Sequence, residues 1–343
     1  MTVTEPVSRL GDLVGMPEPT VLVPNAGDLT WARIRLSDST IDQLSQQLAR
    51  VPDAQARAVL WSALIDGVHG ADIAPRTFLD VFATAWPAES NSSILTRVAA
   101  YAEHRIVPFF IPRAGQEAAL VGLATSARRL LDTAPERGTA SLAAARLLAG
   151  TSRDESLLQR WACGSDLPAG LEEDGDFRWI VVRNLASRGL VGPSEIEVFR
   201  SKDDTLQGGL NALMCRAALP EESAKAWAWA ELTGRHDRSN YEMAHLARGV
   251  WISPDDGLVA EYVPRYFTEV PAMTEWVGED ALARVVSAAF PKVFTDDLAR
   301  RSAHALRRDD LTPAVRRSLV DADAELREAL ESQRTFAATA EPR

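Results

Sequence analysis

The sequence is poor in the residues that usually announce chemistry. Among 343 residues there are only two cysteines, Cys163 and Cys215, and they form no C-x-x-C spacing. That excludes a disulfide scaffold and a zinc ribbon, and it leaves two thiols best read as small packed apolar groups in a reducing compartment. Histidine is scarce too: His69, His104, His236, His245 and His304. No two of them lie four apart, so the H-E-x-x-H zinc helix is absent. One E-x-x-H, Glu242 to His245, stands alone, whereas a carboxylate-bridged metal bundle needs two copies on facing helices. A surface pair on one helix is the better reading.

No phosphate loop of the G-x-x-x-x-G-K-[ST] type, no dinucleotide G-x-G-x-x-G after a strand and no G-x-S-x-G elbow occurs. The longest apolar runs, at 106–112 and 118–124, reach seven residues, against the roughly 20 that a membrane span needs. The first ten residues carry no basic stretch leading into an apolar core, so no secretory signal is read there. A cytoplasmic location without membrane partners is the expectation. Positive charge is in deficit, with 37 Lys and Arg against 48 Asp and Glu for a net charge of −11. That field repels nucleic acid, so a nucleic-acid partner is not expected.

What the sequence does have is helix-forming residues, 54 of them alanine, set among Leu, Arg and Glu. Asp53 is placed to cap a helix whose Leu60, Trp61, Leu64, Ile65 and Val68 share a face, with Gly70 as its stop. Leu282, Val285, Val286, Ala289 and Phe290 follow the i, i+3, i+4, i+7, i+8 pattern of an amphipathic helix. Helix starts are expected near residues 40, 53, 75, 92, 115, 139, 153, 174, 193, 205, 221, 239, 255, 278, 296 and 313. Alternate starts are about 35–45 residues apart, the length of a helical pair in HEAT or armadillo stacks. The fold class expected is therefore mainly α, a HEAT/armadillo-like α-solenoid forming a curved bowl.

The first 36 residues differ. Val21–Val23 and the run from Trp31 to Arg35 are of β type, with turn chemistry at Asn25, Gly27 and Asp28 between them. A short β-hairpin is expected there, its edge unpaired and Trp31 partly exposed. The paired acids 203–204, 221–222, 255–256 and 296–297 fall at helix entrances, where the helix dipole accounts for them. Trp227 and Trp229, two apart, point to different faces, so one belongs to a core and the other is free to line a groove.

Four segments together resemble a known family. Val21 to Leu36 (VLVPNAGDLTWARIRL) resembles the L-x-x-N-D-D-D-L-T-Y-A-K-V-R-L stretch that opens the C-terminal region of actinobacterial-type aminopeptidase N. Arg57 to Leu64 resembles its R-A-L-x-W-x-A helix, Gly170 to Trp179 its G-L-x-x-D-x-D-L-R-W segment, and Tyr262 to Phe267 its Y-V-x-R-Y-F. The order is collinear.

The resemblance implies an endoplasmic-reticulum-aminopeptidase-like C-terminal domain of a zinc metallopeptidase family, with the catalytic domain absent. It implies residues 1–36 as an N-terminal tail and hairpin left from a small β-sandwich, 37–334 as the HEAT-like helical domain, and 335–343 as a disordered tail. The implied function is noncatalytic, enclosing the substrate chamber and binding or gating peptides. The implied partner is a catalytic aminopeptidase domain in cis or in trans, which holds the zinc. No catalytic, metal or cofactor residue has a matching position in this chain, which is expected to be inactive by itself. The hairpin residues Asn25, Asp28, Trp31 and Arg33 are the expected interdomain interface. This chain has Asn25-Ala26-Gly27-Asp28 where the family tends to place an acidic run. The alternative reading is a stand-alone HEAT-like scaffold that binds peptides or proteins.

Overall fold

The computed structural model describes residues 14–337 except positions 18 and 236. The tail 1–13, most of the expected C-terminal tail (338–343) and His236 lie outside the described residues. Among the described residues the chain forms sixteen α-helices and no β-strand.

The helices are α1 (Asp38–Gln47), α2 (Ala54–His69), α3 (Pro75–Ala85), α4 (Ser92–Tyr101), α5 (Arg113–Thr133), α6 (Thr139–Thr151), α7 (Glu155–Ala162) and α8 (Gly175–Ser187). They continue as α9 (Pro193–Ser201), α10 (Leu206–Ala218), α11 (Glu222–Thr233), α12 (Asn240–Trp251), α13 (Tyr262–Ala272), α14 (Glu279–Ala289), α15 (Asp296–Ala305) and α16 (Pro313–Phe336).

Local chemistry explains the boundaries. Pro75, Pro193 and Pro313 sit in first turns, where a missing N–H costs nothing. Asp53, Asn91, Asp154, Asp174, Thr205 and Thr295 accept backbone N–H groups as N-caps. Ser239 and Glu242 form a reciprocal capping box at α12. α4 runs into a π-helical segment, Ala102–Phe110, containing Pro108. Its wide turns leave carbonyls without helical partners, and Gln116 Nε2 donates to two of them, Pro108 O at 3.1 Å and Ile111 O at 3.0 Å.

From α5 onward the packing repeats in two-helix steps. α5 packs on α6, α7 on α8, α9 on α10, α13 on α14 and α15 on α16, while α6, α8, α10, α12, α14 and α16 each pack on the next. One helical stripe cannot hide itself, so each pair is covered by its neighbours. Two large apolar clusters result. The first runs from Leu44 to Leu185 and the second from Ala217 to Leu330, with a smaller one around Trp179, Ala212 and Cys215 between them. α16 joins the far ends: Leu319, Leu326 and Leu330 lie in the second cluster and Ala329 in the first. Gln333 donates to Phe109 O at 2.7 Å, and Glu328 and Glu325 reach His69 and Arg105.

The expected hairpin does not form. Asn25 and Asp28 both take positive φ, 54° and 48°, where asparagine and aspartate are tolerated. Asn25 Oδ1 then accepts from Leu29 N and Thr30 N while its Nδ2 donates to Thr30 O at 2.8 Å. The turn is closed by one side chain, and the run beyond it ties itself to α2 and the following loop through arginines instead of to a second strand. A two-stranded ribbon on its own is marginal in water, which leaves nothing to favour the ladder.

Candidate functional site

Residues 21–36 form a strap over the start of the helical body. Gln55 on α2 donates to Gly27 O at 2.8 Å, fixing the turn. Asp28 N donates to Asn25 O at 2.8 Å, so these two expected interface residues meet. Arg33 is held elsewhere: its Nη2 donates to Asp66 O at 3.0 Å and Asp72 Oδ2 at 3.1 Å. Arg35 binds the same carboxylate and, by hydrogen bond and charge, holds Asp72 below the usual carboxylate range. Gly70 makes room for this, since a Cβ there would lie 1.4 Å from Arg33 Nη2. Between the two anchors Leu29 and Trp31 project into solvent, 91% and 105% exposed. An unshielded indole beside a fixed guanidinium is a contact surface without reactive chemistry.

Sequence reasoning gave Arg35 and Asp72 no role at a site, and read Gly70 only as the helix stop that it also is. Arg33 and Arg35 share one face of an extended run by the two-residue period, but their partner lies 37 residues away, beyond any local pattern.

Next to the strap, residues of α2 and α4 line a mainly apolar groove of about 770 Å³. Ala58, Trp61, Ile65 and Val98 line it, with Asp66, Arg97 and Arg105 among its charged residues. Trp61 is buried, and its indole N–H has no acceptor among the described residues. At the other end Tyr101 meets His69, whose second ring nitrogen meets Glu328 at 2.7 Å. Burial raises the Tyr101 phenol above its ordinary pKa.

Among the described residues no three His, Cys, Asp or Glu side chains gather into a possible metal site. His245 Nδ1 lies 2.8 Å from Tyr241 O, and Glu242 is committed to Ser239 and Arg238, so the lone E-x-x-H is structural. Cys215 is fully buried, and burial pushes its thiol up to about 12. Cys163 departs from the expected packed role: it caps the end of α7 and is exposed. Trp229 is buried and donates to Glu269 at 2.7 Å, whereas Trp227 is half-buried with Arg216 3.8 Å over its ring.

The three inner motifs are likewise structural. Arg57 forms a buried pair with Glu89. Asp174 caps α8, while Trp179 donates to Asp203 at 2.8 Å. Tyr262, Tyr266 and Phe267 pack in the second cluster.

The described chain is a series of packed helix pairs with an exposed strap at its beginning, and comparison with known proteins says which family such a helical domain belongs to. Residues 21–328 match the ERAP1-like C-terminal domain, and the chain belongs to that family. It is also similar to aminopeptidase N of Streptomyces lividans, 27% identical over 339 residues, which is 98% of this chain. The chain spans 39% of that relative's length.

Proposed function

We propose that this chain is the noncatalytic C-terminal domain of an aminopeptidase N, a HEAT-like bowl that encloses the peptide chamber over a zinc-bearing catalytic domain lying outside this chain. The observation that carries the reading is the extent of the match. Nearly the whole chain aligns with 39% of an aminopeptidase N, and residues 21–328 of it match a C-terminal domain family. Residues 37–334 are the bowl in this reading, and 1–36 are the side that meets the rest of the enzyme. Asn25, Asp28, Trp31 and Arg33 are the interface residues. The fully exposed Trp31, held between two anchored turns, supports that assignment because lone indoles at this exposure become binding anchors once covered. Enclosure contributes by excluding water and restricting which peptides enter.

Aminoacyl-arylamide hydrolysis by the purified chain with added zinc tests the reading. We expect no EDTA-sensitive turnover, and robust EDTA-sensitive turnover overturns it.

A further inference from the structure

A second cavity, of about 300 Å³, lies where four distant parts of the chain meet: Arg113 to Leu120 on α5, Gly150 to Arg153 at the end of α6, Asn184 to Arg188 at the end of α8, and Ile252 to Pro254 after α12. Its walls carry three arginines. Arg153 is satisfied by Glu117, with bonds of 2.6 and 2.7 Å, and Arg113 by Ser253 O with Asp256 at 3.6 Å. Arg188 is not satisfied. It makes one long bond, from Nη2 to Arg153 O at 3.5 Å, and its Nη1 is buried without an acceptor among the described residues. Burial, and then the charge of Arg153, holds this guanidinium below the ordinary arginine pKa, although the carboxylates of Glu117, on the cavity wall, and Glu155 act the other way without bonding to it. A guanidinium with one nitrogen buried and unbonded favours an anion that supplies the missing acceptor.

Asn184 supplies a second demand. It is 5% exposed, and its Nδ2 donates to Ala149 O, Gly150 O and Ser152 O at 2.9, 3.0 and 3.1 Å. Those three carbonyls fix the amide orientation, because a flipped oxygen would face them. Its Oδ1 is therefore a buried acceptor, and it has no donor among the described residues. The cavity thus asks for oxygens that accept from a guanidinium and for one hydroxyl that donates to an amide oxygen. Monohydrogen phosphate carries both at neutral pH. Sulfate and a phosphate-monoester dianion carry only acceptors, and acetate lacks the hydroxyl.

We propose that this cavity binds free orthophosphate, with Arg188 as its principal ligand and Asn184 Oδ1 accepting from its hydroxyl. Bound there, the anion pins α5, α6 and α8 to the segment after α12 and so tightens contacts between the early and late parts of the coil. The inference stands apart from the pairing with a catalytic domain and does not need it.

The test is titration of the full chain at pH 8 and constant ionic strength, followed calorimetrically and by thermal melting, with phosphate, sulfate, methyl phosphate and acetate. We expect a saturable rise in Tm with phosphate and binding at least about tenfold tighter than for the other three, the value of one good charge-assisted or buried hydrogen bond. Arg188→Met removes the uncompensated cation, so it should melt no lower than the parent in chloride and lose the phosphate response. Arg188→Lys keeps the charge without the fork and should weaken phosphate about tenfold with an unchanged helical spectrum, which covers the case of a Met variant that does not fold. Phosphate binding no tighter than sulfate or methyl phosphate, or an Arg188 variant that titrates like the parent, overturns the proposal.

Discussion

Replacing Arg57 by methionine puts the energetics of the helical body to a quantitative test. Arg57 and Glu89 side chains are 7% and 0% exposed, and they are joined by Nε to Oε2 at 2.9 Å and Nη2 to Oε1 at 2.7 Å. Arg57 Nη1 also donates to Val51 O and Pro52 O, while Glu89 Oε1 accepts from Ser90 N and Asn91 N. Arg57→Met leaves a carboxylate in the interior with only those two amides, which costs about 3–5 kcal/mol. At about 2 °C per kcal/mol for a chain of this size, the melting point should fall by about 6–10 °C. Arg57→Met with Glu89→Gln keeps an acceptor for the amides and removes the stranded charge, so the double variant should be more stable than Arg57→Met alone.

The pH dependence has opposite signs in the two proteins. In the parent, burial opposes ionisation of Glu89, but Arg57 and the amides of Asn91 and Ser90 prevail and hold its pKa down. Its contribution is therefore full above the unfolded value of about 4.3 and is lost as pH falls through the folded value. In Arg57→Met, burial without the guanidinium raises that pKa, so acidification from pH 7 towards about 4.3 should recover stability. Thermal melts read by circular dichroism across this range check both slopes. A double variant no more stable than Arg57→Met, or an Arg57→Met protein that only loses stability on acidification, refutes the reasoning.

Two further substitutions probe the contact between α10 and α12. A Cβ on Gly249 would lie 2.6 Å from Met214 O and from the Ala217 Cβ, so Gly249→Ala must push two helix backbones apart and should cost about 1–3 kcal/mol in a denaturant titration. Lys225 donates to Ala217 O at 2.8 Å, Gly249 O at 3.3 Å and Ile252 O at 2.7 Å, and Lys225→Met should cost about 2–3 kcal/mol by stranding these carbonyls. Burial pulls Lys225 to about 7, so between that pH and about 10.4 the unfolded chain holds a proton the folded chain has released. Stability therefore rises with pH through this group, and comparing melts of parent and variant at pH 7 and 9 should show a larger rise in the parent, since Lys292, which burial pulls to about 8, titrates in both.

Most helix entrances were legible because each is written in one or two residues. The starts read at 75, 92, 139, 193, 296 and 313 coincide with helix starts, three of them at a first-turn proline. The start read at 255 was displaced because Asp255 caps only a short turn of 3₁₀ helix, and α13 begins at Tyr262. The π-helical stretch had no local signal, since its widened turns depend on Gln116 reaching back from α5. The hairpin was misread because Asn25 was credited with turn chemistry between strands, while its side chain makes the turn self-sufficient. Trp31 was read as partly exposed on an unpaired hairpin edge; it is fully exposed, but on a strap without strands. The Arg188 cavity could not be read, because its walls come from four segments that only the coil brings together.

Co-sedimentation tests the central claim most directly. The Streptomyces lividans relative, truncated ahead of the region that this chain matches, is mixed with the purified chain and with its Trp31→Ser form. The account predicts a one-to-one complex with the parent chain and weaker association with Trp31→Ser. Two species sedimenting independently at tens of micromolar, with parent and variant indistinguishable, contradict it.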